Sequence, residues 1–213
     1  MNRLKSAVAV IALLAATGAQ ATLADTVLLR YTGNGPVLPT WLSINGVDTN
    51  FFAGSYNIQE ISTPSFAAYC VDPFQSSNGD FQSYARLPLA AGPLDPARFT
   101  NVNKLFNNAY AGSLTNGTKA AGFQLALFEI WQDDGVLTTG IIKTIGSSDA
   151  GMIAEAAFLL NSLAGWNAGA PALTYYSSET YQDYVAVIPE PESYALLLAG
   201  LGMLGAIARR RMV

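Results

Sequence analysis

The spacing of apolar and polar positions changes twice along the chain. From Thr26 it is strand-like. Thr26-Val27-Leu28-Leu29-Arg30-Tyr31 is rich in strand formers, and apolar and aromatic residues fill the stretches around two turn signals, Asn34-Gly35 and Asn45-Gly46. Residues 66–71 predict another short strand, stopped by Pro73. Residues 76–96 are rich in Ser, Gly and Pro and read as loop, with one strand over residues 81–87. At Asp95 the period becomes helical. Asp95 is an N-cap candidate with Pro96 at the first helical position, Phe99, Val102, Leu105, Phe106 and Ala109 recur at helical spacing, and Gly112 is the expected stop. A second helix is predicted over residues 118–132, with Phe123, Ala126, Leu127, Ile130 and Trp131 apolar and Asp133-Asp134-Gly135 ending it. A third is predicted over residues 148–163, with Asp149 near its N-terminus. Tyr175-Tyr176 and residues 181–187 read as closing strands. Strands, then helices, then strands predict an α+β domain with β-sandwich-like β segments and an inserted group of helices.

The two ends follow different rules. Arg3 and Lys5 precede an uncharged apolar run, Ala7 to Ala16, and then Ala19-Gln20-Ala21. This three-part pattern is that of a secretory signal, and the run is too short for an ordinary spanning helix; the alternative is a buried first strand or helix. At the other end Pro189-Glu190-Pro191-Glu192 precedes an apolar run, Tyr194 to Ala208, and the cluster Arg209-Arg210-Arg211. Two prolines in three residues break regular structure. At about 1.5 Å per residue the run reaches roughly 22 Å, short of the ~30 Å hydrocarbon core. Gly200, Gly202 and Gly205 favour close helix packing, and the arginines act as a cytoplasmic membrane stop. The domain reading is therefore a signal peptide over 1–21, a globular domain over 22–187 and a tail with a short transmembrane sorting helix over 188–213.

The tail resembles the PEP-CTERM sorting signal in its Pro-Glu-Pro box, glycine-bearing apolar segment and arginine end, in that order. The resemblance implies processing at Pro189-Glu190-Pro191 by an exosortase, a membrane transpeptidase. It also implies transient anchoring in the inner membrane, then release to the surface or extracellular matrix of a Gram-negative bacterium that makes exopolysaccharide.

Composition narrows the chemistry of the middle. Between residues 22 and 188, six basic side chains face thirteen acidic ones, a net charge of −7. Nucleic-acid binding needs a basic face and is excluded as a reading. The chain has no histidine, which removes the usual acid–base partner and the commonest metal ligand. Neither a metal nor a cofactor is expected.

Cys70 is the single cysteine of a chain read as exported. Four explanations compete: a buried bystander, a disulfide to another chain, a lipid or catalytic site, or a bond to something other than cysteine. A lipoprotein cysteine would follow the signal directly, and a Cys–His nucleophile needs a histidine. The bystander stays open, since free cysteine packs as a small apolar residue.

The fourth explanation has local support. Tyr69-Cys70-Val71 and Phe123-Gln124-Leu125-Ala126-Leu127-Phe128 together resemble the paired motifs of bacterial thioester domains on surface adhesins. By that resemblance Cys70 and Gln124 are the bond-forming pair, with Tyr69 as a hydrogen-bond donor to the thioester carbonyl and Trp131 among the apolar neighbours that exclude water. A thiolate held against the Gln124 carboxamide expels ammonia and leaves a thioester. An amine on a surface protein or matrix polymer then attacks the carbonyl, Cys70 leaves, and an amide remains. This is single-turnover capture, so the chain is not read as an enzyme.

A second reading, from another class, is a non-covalent structural or carbohydrate-binding component of an exopolysaccharide matrix. It needs only the sorting tail and a compact exported domain. Asp133, Asp134 and Asp149 read as helix-end and loop acids rather than calcium ligands, and Asn116-Gly117-Thr118 as the turn before the second helix.

Overall fold

The computed structural model describes residues 24–187 and 200–201. The expected signal peptide, the Pro-Glu-Pro box and the arginine cluster lie outside the described residues, as does the sorting helix apart from Gly200 and Leu201, both helical. Among the described residues no helix is long and apolar enough to cross a membrane.

Seven strands and three α-helices make an α+β domain. The strands are β1 Asp25–Ile44, β2 Val47–Glu60, β3 Phe66–Cys70, β4 Gln82–Pro88, β5 Ile142–Thr144, β6 Leu173–Ser177 and β7 Tyr184–Val187. The helices α1 Pro96–Ser113, α2 Gly117–Gln132 and α3 Ala150–Ser162 fall between β4 and β6. The expectation of sandwich-like β segments is corrected: all seven strands belong to one antiparallel sheet rather than two facing ones. β1 is the reason. It is 20 residues long, and its first residues, Asp25–Leu29, pair with β4 while Leu29–Ile44 pair with β2. Successive pairs β1–β2, β2–β3, β3–β7, β7–β6, β6–β4 and β4–β1 therefore close into a ring. Closure gives each of the six ring strands a neighbour on both sides, and the short β5 remains as an edge beside β1.

Local chemistry explains how β1 runs so far. Asn34-Gly35 reads as a turn in sequence, yet the strand passes through it with register shifts at Tyr31/Gly33 and Asn34/Val37. Such bulges bend a strand without ending it. Opposite the second shift, Gly54 has φ +145°, and a Cβ there would lie 2.3 Å from the Pro36 carbonyl oxygen. The actual turn is Asn45-Gly46, with φ of 52° and 79°, a two-residue hairpin of the kind that needs positive φ at both positions. β5 carries no sequence signal of its own. It is three residues long and borrows its pairing from Leu42–Ile44 of β1.

The helices begin where their caps are. Asp95 accepts the amides of Ala97 and Arg98 at 2.8 and 3.0 Å, Asn116 that of Lys119 at 2.9 Å, and Asp149 that of Met152 at 2.8 Å. α1 runs through Gly112, the expected stop, to Ser113. α2 is the centre of the domain: every residue from Ala120 to Trp131 is buried. It packs on β1 and β2 on one side and on α1 and α3 on the others. A helix apolar on all sides has to be enclosed in this way.

Gly122 sets the approach of α2 and α3. A Cβ there would lie 2.5 Å from Cβ and Cγ of Glu155 and 3.1 Å from the Ala156 amide nitrogen. Alanine gains about 1 kcal/mol of helix propensity over glycine, whereas overpacking costs about 1–3 kcal/mol. Gly122→Ala is therefore expected to lower the melting temperature by about 2–4 °C for each kcal/mol of net loss. An unchanged or raised melting temperature would show that the two helices have room to part.

Candidate functional site

β3 delivers Tyr69 and Cys70 to opposite sides of the sheet, as successive strand residues must. β2 pairs with β3 only as far as Ser55↔Tyr69. Beyond that point the partner of Cys70 is a side chain. The Gln124 carboxamide accepts the Cys70 amide on Oε1 at 3.2 Å and donates Nε2 to the Cys70 carbonyl at 2.7 Å. It completes the pairing of β3 where β2 parts from it. The residues are 54 positions apart, and both are fully buried. The structure thus brings together the two residues singled out in sequence.

The Cys70 thiol donates to the Asp72 carbonyl at 3.2 Å. Burial pushes its pKa well above the usual range, and the negative charges of Asp72 and Asp183 act in the same sense. The group is a neutral thiol at pH 7. Eight residues beyond Gln124, two turns along the same helix face, Gln132 donates Nε2 to the Val71 carbonyl at 2.8 Å. Two glutamines of α2 therefore hold consecutive residues at the end of β3. The 124/132 spacing is visible in sequence, but nothing marks Gln132 without the position of the strand.

Tyr69 is a correction. Its hydroxyl donates to Ser113 Oγ at 2.7 Å, and Ser113 passes its own proton to the Tyr110 carbonyl at 2.7 Å. Its ring packs at 4.4 Å from Phe123 within a cluster that includes Phe106 and Tyr110. The hydroxyl is committed to α1, on the side of the strand away from Cys70, so in this arrangement it does not serve Gln124. Its work is to fasten β3 to the helices. Trp131 is buried and packs on Tyr175 with ring centroids 5.4 Å apart. It forms a wall of a cleft of about 380 Å³, shared with Asp72, Leu94, Asp95, Arg98, Gln132, Tyr175 and Asp183. Cys70 and Gln124 do not line it, and Cys70 reaches it only through the thiol bond to the Asp72 carbonyl.

Asp183 is held firmly. It accepts the Tyr175 hydroxyl at 2.5 Å and the Ser178 amide at 2.7 Å. Burial raises its pKa above the ordinary aspartate value. The loop acids have local duties: Asp133 accepts the Ile142 amide at 2.7 Å, and Asp134 accepts the Val136 amide and the Thr139 hydroxyl at 2.9 and 2.8 Å.

Residues 187–211 match the model of the PEP-CTERM protein-sorting motif. The tail is a PEP-CTERM motif. That motif implies an exported protein, associated transiently with the membrane and sorted by an exosortase. The PEP-CTERM match covers only the tail, and it leaves the chemistry of the folded domain to the geometry above. Comparison with curated proteins gave no match, and neither did comparison with solved structures.

Glu129 went unnoticed in sequence. It lies on α2 with 1% of its surface exposed, and its carboxylate oxygens have the backbone amides of Gly135 and Val136 as donors, neither in good hydrogen-bond geometry. Burial first, and the charges of Asp133 and Asp134 next, push its pKa up to about 8. In the unfolded chain the group titrates near its ordinary value of about 4.3. Between these two values the folded state keeps a proton that the unfolded state has released, so stability falls as pH rises through the window. Glu129→Gln removes this titration. Its melting temperature relative to the parent is expected to rise steadily from about pH 5 to about pH 8, and parallel pH profiles would show the carboxylate to be solvated or partnered.

Proposed function

We propose that this exported, exosortase-processed protein uses its folded domain for covalent capture, through a Cys70–Gln124 thioester formed within the chain. The observation that carries the reading is the Gln124 carboxamide held against Cys70 in a fully buried site, reached from 54 residues away. Formation balances without a cofactor. The Cys70 sulfur bonds to Cδ of Gln124, the C–N bond breaks, and the thiol proton leaves with the amide nitrogen as ammonia. Prior positioning supplies the effective concentration that the uncatalysed reaction lacks. Phe123, Leu127 and Phe128 around the pair exclude water, the competing nucleophile. The end product is an amide between Gln124 and an amine on a surface protein or matrix polymer. Cys70 is left as thiol after a single turnover, which is not enzyme catalysis.

One observation favours the non-covalent alternative, a structural or carbohydrate-binding matrix component. As hydrogen-bonded here, the Gln124 carboxamide satisfies both backbone groups of Cys70, and the thiol is neutral. That is sufficient for a purely structural polar pair in a core.

Intact mass separates the two. The purified mature protein is expected to be lighter than its sequence by one ammonia, Cys70→Ala to show no deficit, and alkaline hydrolysis to add one water to the parent. A full unmodified mass with one titratable thiol would leave the non-covalent reading.

A further inference from the structure

We propose that the cleft in front of Asp72 seats the incoming nucleophile and selects a primary alkylammonium, such as the end of a lysine side chain, over neutral nucleophiles. This rests on the thioester reading and adds where the acceptor docks and which residues choose it. At about 380 Å³ the cleft is within the range of small-molecule sites. Its only cation is already engaged. Arg98 donates to the Trp131 and Asp133 carbonyls and lies 3.5 Å from the Asp95 carboxylate, so that pair cancels. Asp72 and Asp183 remain as the net charge of the cleft.

These two acids are tied to the reacting strand. The Asp72 carbonyl receives the Cys70 thiol, and the Val71 amide donates to the Asp183 carbonyl at 3.0 Å. The Asp72 side chain uses Oδ1 for the Phe74 amide at 2.9 Å, which leaves Oδ2 for a guest. Trp131 and Tyr175 give the cleft an aromatic wall, suited to an alkyl stem and to the face of a cation. A docked ammonium meets Asp72 before it meets the bond, and the Asp72 turn has to shift to admit it.

The step balances. The ammonium gives one proton to the Asp72 carboxylate, and the free amine attacks Cδ of Gln124. The C–S bond breaks, and the departing sulfur takes the second proton from nitrogen. The products are an amide, a Cys70 thiol and a protonated Asp72.

The test compares cadaverine, which is cationic, with hydroxylamine, which is largely neutral near pH 7, on the purified mature protein, with adducts at Gln124 counted by mass. In Asp72→Asn the cadaverine rate is expected to fall about tenfold relative to the hydroxylamine rate of the same variant, the effect of losing one charge-assisted contact. In the parent, rising salt should slow cadaverine and leave hydroxylamine unchanged, a reading that needs no variant. The same cadaverine-to-hydroxylamine ratio in parent and Asp72→Asn, or salt-independent capture, would overturn the proposal while leaving the thioester intact. A parent with no mass deficit would remove the thioester reading and this proposal together.

Discussion

Burying α2 on every side is the constraint on which the rest of this domain depends. A helix with no solvent face leaves no water for any polar side chain it carries, and an unpaired buried polar group costs about 1–3 kcal/mol. Two polar side chains near its centre meet this constraint differently. Gln124 is satisfied by the end of β3, and its position is thereby fixed against Cys70. Glu129 gains too little from the Gly135 and Val136 amides to offset its burial and responds by holding its proton. The enclosure that gives the domain its core also creates both of its unusual groups.

The sheet provides one side of this enclosure, and α1 and α3 the others. β1 bends through two bulges, pairs with β4 at its start and with β2 over the rest, and so closes the ring. The β2–β3 pairing ends at Ser55 and Tyr69 while β2 runs on beside β1, which leaves the Cys70 backbone groups on that side to Gln124 of α2. Had β2 stayed paired with β3 for one more residue, its backbone would take the bonds that Gln124 now makes. The register of one strand end thus decides whether a glutamine on a helix touches a cysteine on a strand.

Much of this was legible in the sequence, for local reasons. Asp95-Pro96, Asn116 and Asp149 mark helix starts because capping needs only neighbouring residues. Asn45-Gly46 marks the hairpin because only a few residue types tolerate its dihedral angles. Cys70 and Gln124 stood out through the motifs around them. The rest depends on distant pairings. Asn34-Gly35 looks like a turn and is a bulge because β2 lies alongside it. β5 exists only by pairing with β1. Tyr69 looked like a donor to Gln124, but a strand sends adjacent side chains to opposite faces, and Ser113 is on the face it reaches. Gln132, Asp183 and Glu129 acquire meaning only once α2 is seen against β3 and the Asp133–Gly140 loop.

A high-resolution crystal structure of the purified mature protein tests the central claim most directly. The account predicts continuous density from Cys70 Sγ to Gln124 Cδ, with no Nε2 atom and no hydrogen bond from it to the Cys70 carbonyl. Separate side chains, with Nε2 still donating to that carbonyl and the thiol still on the Asp72 carbonyl, would contradict it.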